Sequence, residues 1–281
     1  MRRVSFPAVA TAASNPPLTA YQFEGLLGFP DTTHAVFTRH GGVSAGPYTS
    51  LNLSRAVGDD PAAVAENNRR MLGALGYRRP QAVTAWLVHG NDVALVTRAD
   101  SDRPPQQVDA LVTRERSLPL SMRFADCVPI VFYDPLHPAI GVAHAGWRGV
   151  AANVAGATVR AMVDWFNTDP RRMWVGIGPA IGVEKYEVSQ DEVDRVAAAC
   201  PRGARLTQPG GRGRPHLDLA AAVVAQLQAA GVASIEASGI CTASDTGEWF
   251  SHRAENGQTG RFGLVVALDG YPGEGSKPSP G

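Results

Sequence analysis

Cysteine is scarce in this chain: three residues, Cys127, Cys200 and Cys241, among 281. So few and so scattered, they exclude a disulfide framework and point to a reducing, cytoplasmic setting. A surplus of either charge is also missing, since Lys plus Arg and Asp plus Glu both number 26. The zero formal net charge argues against a nucleic-acid surface or a basic membrane face. No uninterrupted apolar run approaches the roughly 18 residues of a membrane-spanning helix. Met1-Arg2-Arg3 ahead of Val4 to Ala13 faintly imitates a leader. That run is short, broken by Pro7 and rich in alanine and threonine, so it reads as an N-terminal extension. There is no repeat of fixed period. The usual zinc-deaminase signature, His-x-Glu with a later Pro-Cys-x-x-Cys, is absent too.

What is present is an apolar, alternating chain. At 44 % hydrophobic and 19 % charged residues, it can bury a sizeable core. Strands are expected at Ala35 to Thr38, Leu120 to Phe124, Val128 to Phe132, Ile140 to Ala143, Met173 to Ile177, Ser234 to Ala237 and Phe262 to Leu268. Asp60-Pro61 reads as N-cap and first helical residue of a helix to about Leu75. Further helices are expected at Gly149 to Phe166, Gln190 to Ala199 and Leu217 to Ala230. Val83 to Val88 and Val93 to Thr97 flank a glycine-containing turn and predict a hairpin with His89 beside its tip. Gln208 to Pro215 reads as a mobile polar loop and Gly270 to Gly281 as a disordered tail. The division expected is an extension over 1–19, one α/β domain with mixed sheets over 20–269, and the tail.

Three chemistry-bearing residues lie where strand-like runs meet small or glycine-rich turns, where such folds place function. They are His89 in Val88-His89-Gly90-Asn91, Cys127 in Ala125-Asp126-Cys127-Val128-Pro129, and His144 in His144-Ala145-Gly146-Trp147-Arg148-Gly149. One thiolate and two imidazoles suit zinc, and three protein ligands leave a fourth position open, as catalytic sites do. Most lone cysteines and histidines are filler or surface, and Cys200, Cys241, His34, His137 and His216 are read that way. Cys127 differs because Asp126 and Pro129 are poor strand filler. The turn Gly146-Trp147-Arg148-Gly149 enters a helix, so Gly146 and Arg148 form an anion site for phosphate or carboxylate. Arg39-His40-Gly41-Gly42 is a similar glycine-softened loop carrying a cation.

Together these segments resemble the YfiH family, the laccase-domain proteins that include peptidoglycan editing factors and a mammalian purine-metabolising relative. The resemblance rests on Phe37-Thr38-Arg39-His40-Gly41-Gly42-Val43-Ser44, Leu51-Asn52-Leu53, Gly58-Asp59-Asp60, Val88-His89-Gly90 and Asp109-Ala110-Leu111-Val112-Thr113. It continues through the Cys127 and His144 segments, Gly178-Pro179-Ala180-Ile181-Gly182 and Thr259-Gly260-Arg261. It implies an α/β/β/α sandwich similar to cysteine hydrolases and a metal on His89, Cys127 and His144. The metal would be zinc, with copper as the older alternative. It also implies phosphorolysis of adenosine, inosine and methylthioadenosine, plus adenosine deamination, with purine nucleoside and phosphate as small-molecule partners. Arg39 and Arg148 would then position phosphate, and Asp126 would orient a ligand histidine. Three departures bear on substrate preference: Val183-Glu184-Lys185 before Tyr186, Leu87 before Val88-His89, and Ser251-His252-Arg253. Rival readings are a metal-free hydrolase with Cys127 as nucleophile and His144 as base, a copper oxidase, and a non-catalytic binding protein. Oligomeric state is left open.

Overall fold

The longest apolar stretches become strands buried on both faces, in a computed structural model that describes residues 1–6, 16–77, 82–210 and 213–269. One six-stranded sheet runs β1 (Arg2–Phe6), β2 (Leu18–Gln22), β3 (Thr32–Phe37), β14 (Phe262–Leu268), β7 (Leu120–Phe124) and β4 (Val83–Thr84). The other runs β13 (Ser234–Ala237), β10 (Trp174–Ile177), β8 (Val128–Asp134), β9 (Ala139–Ala145), β6 (Ala110–Thr113) and β5 (Val93–Leu95). Both sheets are mixed: β4 with β7, β5 with β6 and β10 with β13 are parallel, and the other pairs antiparallel.

The two-residue period of a strand sorts the apolar side chains into three layers of core. Val131, Tyr133, Ile140 and Val142 of the second sheet meet Val36, Met122, Phe124, Phe262, Leu264 and Val266 of the first. The alternate residues Ile130, Phe132, Ala139 and Ala143 face outward to α3 (Trp147–Ala151), α4 (Val154–Phe166), α5 (Gln190–Ala198) and α6 (Leu219–Ala229). On the other side, Ala35, Phe37 and Val265 pack against Met71 and Leu72 of α2 (Pro61–Ala74). A short helix α1 (Glu24–Leu27) joins β2 to β3. The arrangement is the expected helix/sheet/sheet/helix sandwich, in one domain. Each fully buried Val, Leu, Ile, Phe or Met contributes about 1.5–3 kcal/mol, so both the inter-sheet layer and the layer beneath α3 to α6 hold the sandwich together.

Asp60 caps α2, its carboxylate accepting from Ala62 N at 2.9 Å with Pro61 in the first turn. Three expectations are corrected. Val83–Thr84 and Val93–Leu95 do not form a hairpin, because β4 pairs with β7 in one sheet and β5 with β6 in the other. The chain between them crosses from sheet to sheet. The helix expected over Gly149 to Phe166 is two helices. Asn153 between them takes φ 58, ψ 51, and its side chain caps α4 by accepting from Gly156 N at 3.0 Å. The loop Gln208 to Pro215 is flanked by a two-stranded ribbon of β11 (Thr207–Pro209) and β12 (Pro215–Leu217). Positions 211–212 of that loop and the tail from Gly270 lie outside the described residues. Among the described residues, no helix is long and apolar enough to cross a membrane.

Candidate metal centre

Two crossings between the sheets deliver two of the three donors. The chain leaves β7 at Phe124 and enters β8 at Val128, with Asp126 turned to φ 84 to redirect it so that Cys127 stands at the junction. The crossing from β4 to β5 carries His89, itself at φ 61. Positive φ is uncommon outside glycine and costs of order 1–3 kcal/mol, which the surrounding bonds must offset. His144 comes from β9, paired with Pro129 of β8 and so one strand away from Cys127. The nitrogen and sulfur donors of His89, Cys127 and His144 all lie within 4.8 Å of one another. His144 is buried, Cys127 half-buried and His89 exposed, so the centre opens to solvent on the His89 side.

A fourth residue holds the set together. Asp109, at the start of β6, accepts from His144 Nδ1 at 2.9 Å through Oδ1. Its Oδ2 accepts the backbone N–H groups of Val88 at 3.1 Å and Gly90 at 2.7 Å, one on each side of His89. One carboxylate therefore leaves Nε2 of His144 for the centre and clamps the His89 crossing, the outer support typical of metal-bound histidine. Burial would raise the Asp109 carboxyl, but the His144 and Gly90 hydrogen bonds outweigh it and hold the group below its ordinary value. Sequence reading assigned this orienting role to Asp126. The register Ala110↔Ala143 is what brings Asp109 beside His144.

The electrostatics favour a thiolate. Burial pushes the Cys127 thiol up, yet the His144 charge and hydrogen bonds from His144 and His89 prevail and hold it at about 6. Burial pulls His144 down, but the Cys127 charge and the Asp109 hydrogen bond lift it to about 9. A metal that binds thiolate thus meets the sulfur already deprotonated at neutral pH. Gly146 lines the same point: a Cβ there would lie 3.0 Å from both Cys127 Sγ and His89 Cδ2. Donor chemistry, spacing and the outer carboxylate all fit a bound zinc with an open fourth position.

The other expected site residues are spread around this centre. Arg148 is exposed, two residues beyond Gly146, with its guanidinium 4.4 Å from the Trp147 ring centroid. It sits in α3, which at five residues offers less dipole than the longer helix expected there. Arg39 is already engaged. Its Nε donates to Thr49 O at 2.8 Å, and its Nη1 reaches Thr246 O and Glu255 Oε1, over the Phe250 ring. Asp126 is likewise committed, Oδ1 accepting from Thr242 and Ser251 hydroxyls at 2.7 Å each and Oδ2 from Arg253 N at 2.6 Å. Glu255 accepts from Ser251 N and Thr259 Oγ1 through its other oxygen. Arg39, Asp126 and Glu255 thus fasten the irregular segment between β13 and β14 against the centre.

Comparison with known proteins places this fold in a family. Residues 33–269 match the family described as multi-copper polyphenol oxidoreductase laccase. A Streptomyces coelicolor protein named a purine nucleoside phosphorylase is 42 % identical over 248 residues, covering 87 % of this chain and 100 % of its own length. The crystal structure of YlmD from Geobacillus stearothermophilus superposes with TM-score 0.84 at 34 % identity, covering 94 % of this chain and 100 % of that one. That of YfiH from Bacillus licheniformis gives 0.84 at 29 % identity, covering 94 % and 99 %. This chain belongs to the multi-copper polyphenol oxidoreductase laccase family, the YfiH family.

Proposed function

We propose that this chain is a zinc-dependent purine nucleoside phosphorylase acting on adenosine, inosine and methylthioadenosine, with adenosine deamination as a second activity. The observation that carries the reading is the convergence of His89, Cys127 and His144 donors within 4.8 Å, in a chain whose relatives are named purine nucleoside phosphorylases. In phosphorolysis a phosphate oxygen bonds to ribose C1′ while the C1′–N9 bond breaks. The electron pair leaves with the base, which takes a proton from solvent; ribose 1-phosphate and free purine result. In deamination, water replaces the amino group at purine C6 and ammonia leaves. A zinc held by the three residues supplies Lewis acidity to these reactions.

The protein's own contribution is placement. Asp109 fixes the His144 ring and the His89 crossing, and Cys127 is kept deprotonated. Gly146 leaves the centre uncovered, and Arg148 adds positive charge near its mouth, which raises the local concentration of an anionic co-substrate. Arg39, through Nη1, and Asp126, through both oxygens, act by holding the segment that follows β13. Positioning of this kind supplies much of an enzyme's barrier reduction.

Phosphate-dependent release of adenine from adenosine tests the reading. It is expected in the wild-type protein and lost in Cys127→Ala; base release without phosphate, or retained in Cys127→Ala, contradicts it. A second reading has one observation in its favour: Cys127, His144 and Asp109 also form a nucleophile–base–orienter line, the arrangement of a cysteine hydrolase. That enzyme would work without metal and leave a trapped acyl group on Cys127. For a multicopper oxidase the donors are too few, since among the described residues a single His/Cys/Asp/Glu group with metal-binding spacing is found. Met122, the methionine nearest in sequence to Cys127, is buried between the sheets.

A further inference from the structure

We infer that Arg261, on the turn that opens β14, is the residue that binds the phosphate co-substrate beside the Cys127–His144 centre. The inference rests on the phosphorolysis reading for the identity of the anion, and on the following geometry for the site.

The register of the first sheet brings the Arg261 backbone beside the turn that carries Cys127. β14 is antiparallel to β7 with Phe262 opposite Phe124, so the preceding Arg261 stands level with Ala125, at the start of the turn that carries Asp126 and Cys127. Its backbone is pinned on both sides: its N–H donates to Asn52 Oδ1 at 2.9 Å, and its carbonyl accepts from Leu53 N at 3.0 Å. Nη1 donates to the carbonyls of Thr259 at 3.0 Å and Gly260 at 2.8 Å. The guanidinium is therefore oriented by one nitrogen and its own main chain. The chain in this region is set before any ligand arrives.

The rest of the guanidinium is unspent. Among the described residues, Nε and Nη2 of Arg261 have no protein acceptor, and no carboxylate lies within salt-bridge distance. Arg39, Arg70 and Arg116 each meet one, on Glu255, Glu66 and Asp31. Asp126 is the acidic group nearest in register, but its oxygens are taken by Thr242, Ser251 and Arg253 N. A half-buried cation without a counter-ion is costly, and an arriving anion removes that cost. Burial lowers the Arg261 pKa against the opposing charges of Cys127, Asp126 and Tyr48, which places the side chain within electrostatic reach of the thiolate. Two adjacent free N–H edges of a planar guanidinium match two oxygens of phosphate. By contrast, Arg39 is paired with the Glu255 carboxylate and has acceptors on Nε and Nη1, and Arg148 lies exposed against Trp147.

The test is steady-state phosphorolysis by the metal-loaded protein with phosphate and nucleoside varied separately, for wild type, Arg261→Gln and Arg261→Lys. Loss of one bidentate, charge-assisted contact predicts a rise in phosphate KM of about 10- to 100-fold in Arg261→Gln. Nucleoside KM and metal content stay as in the wild type, and Arg261→Lys recovers part of the loss. Unchanged phosphate KM, or a rise in nucleoside KM instead, overturns the inference. Calorimetric titration of inorganic phosphate into the same proteins separates this site from the phosphorolysis reading. If the wild type releases no base yet binds phosphate and Arg261→Gln does not, the anion site stands and the reading falls. Equal phosphate binding by both, or none by the wild type, overturns the site itself. Should Arg261→Gln fail to fold, the Arg261→Lys phosphate KM and titration decide on the same criteria.

Discussion

Two buried aspartates stand near this centre and do different work. Asp109 spends its oxygens on the His144 ring and the two N–H groups flanking His89. Asp126, adjacent to Cys127, spends its own on two hydroxyls and one N–H of the segment between β13 and β14. One region of the molecule holds the donors, the other holds the wall. The aspartate nearer to the cysteine in sequence serves the wall, and the one farther away serves the donors. Proximity along the chain is a poor guide to who supports whom; strand register is the better one.

The comparison can be broken at several points. The largest effect is expected at the donors: Cys127→Ala or His144→Ala abolishes both metal content and base release, measured by metal analysis and an adenosine assay. Next comes Asp109→Asn, which keeps the size of the side chain and loses its charge. Removing an outer partner of this type costs 10- to 100-fold in metal affinity or activity, read by competition with a chelator. Asp126→Ala should act on the other region. It leaves the Thr242 and Ser251 hydroxyls and Arg253 N without their acceptor, which destabilises the fold by about 3 kcal/mol in a denaturant titration, while about one metal per chain remains. The smallest effect belongs to Arg148→Gln, less than about threefold in phosphate KM, because an exposed charge is screened.

The thiolate offers a sharper probe of the donor region. In metal-free protein, Cys127 alkylation should slow as pH falls through about 6, where an ordinary thiol slows below about 8.5. The sign follows from the cause: His144, held charged up to about 9, stabilises the thiolate. His144→Ala should return the midpoint upward. A midpoint near 8.5 in the wild type would show that the pair is not formed.

The cluster of His89, Cys127 and His144 was legible in the sequence because each lies on or beside a turn: His89 and Cys127 on the chain between strands, and His144 near the end of β9 ahead of Gly146. Cys127 lies between Asp126 and Val128-Pro129, and His144 before Ala145-Gly146. The sandwich was legible through family resemblance and the apolar runs, whose even and odd residues the structure divides between two cores. The false hairpin around His89 has a physical origin. Val83 to Val88 and Val93 to Thr97 carry a local hairpin pattern, but β4 pairs in parallel with β7 in one sheet and β5 with β6 in the other, long-range partners that the local pattern does not show. The break at Asn153 was hidden because apolar spacing continues across it; a left-handed asparagine leaves no mark in the periodicity. Asp109 and Arg261 both lay within quoted motifs, yet their roles depend on the β6–β9 and β7–β14 registers, which local sequence does not encode.

The most direct test of the two-region account is metal content of the natively purified protein by mass spectrometry, for wild type, Cys127→Ala, Asp109→Asn and Asp126→Asn side by side. The account predicts about one zinc per chain in the wild type and in Asp126→Asn, none in Cys127→Ala, and partial, chelator-sensitive occupancy in Asp109→Asn. Metal retained in Cys127→Ala, or lost equally from both aspartate variants, would contradict it.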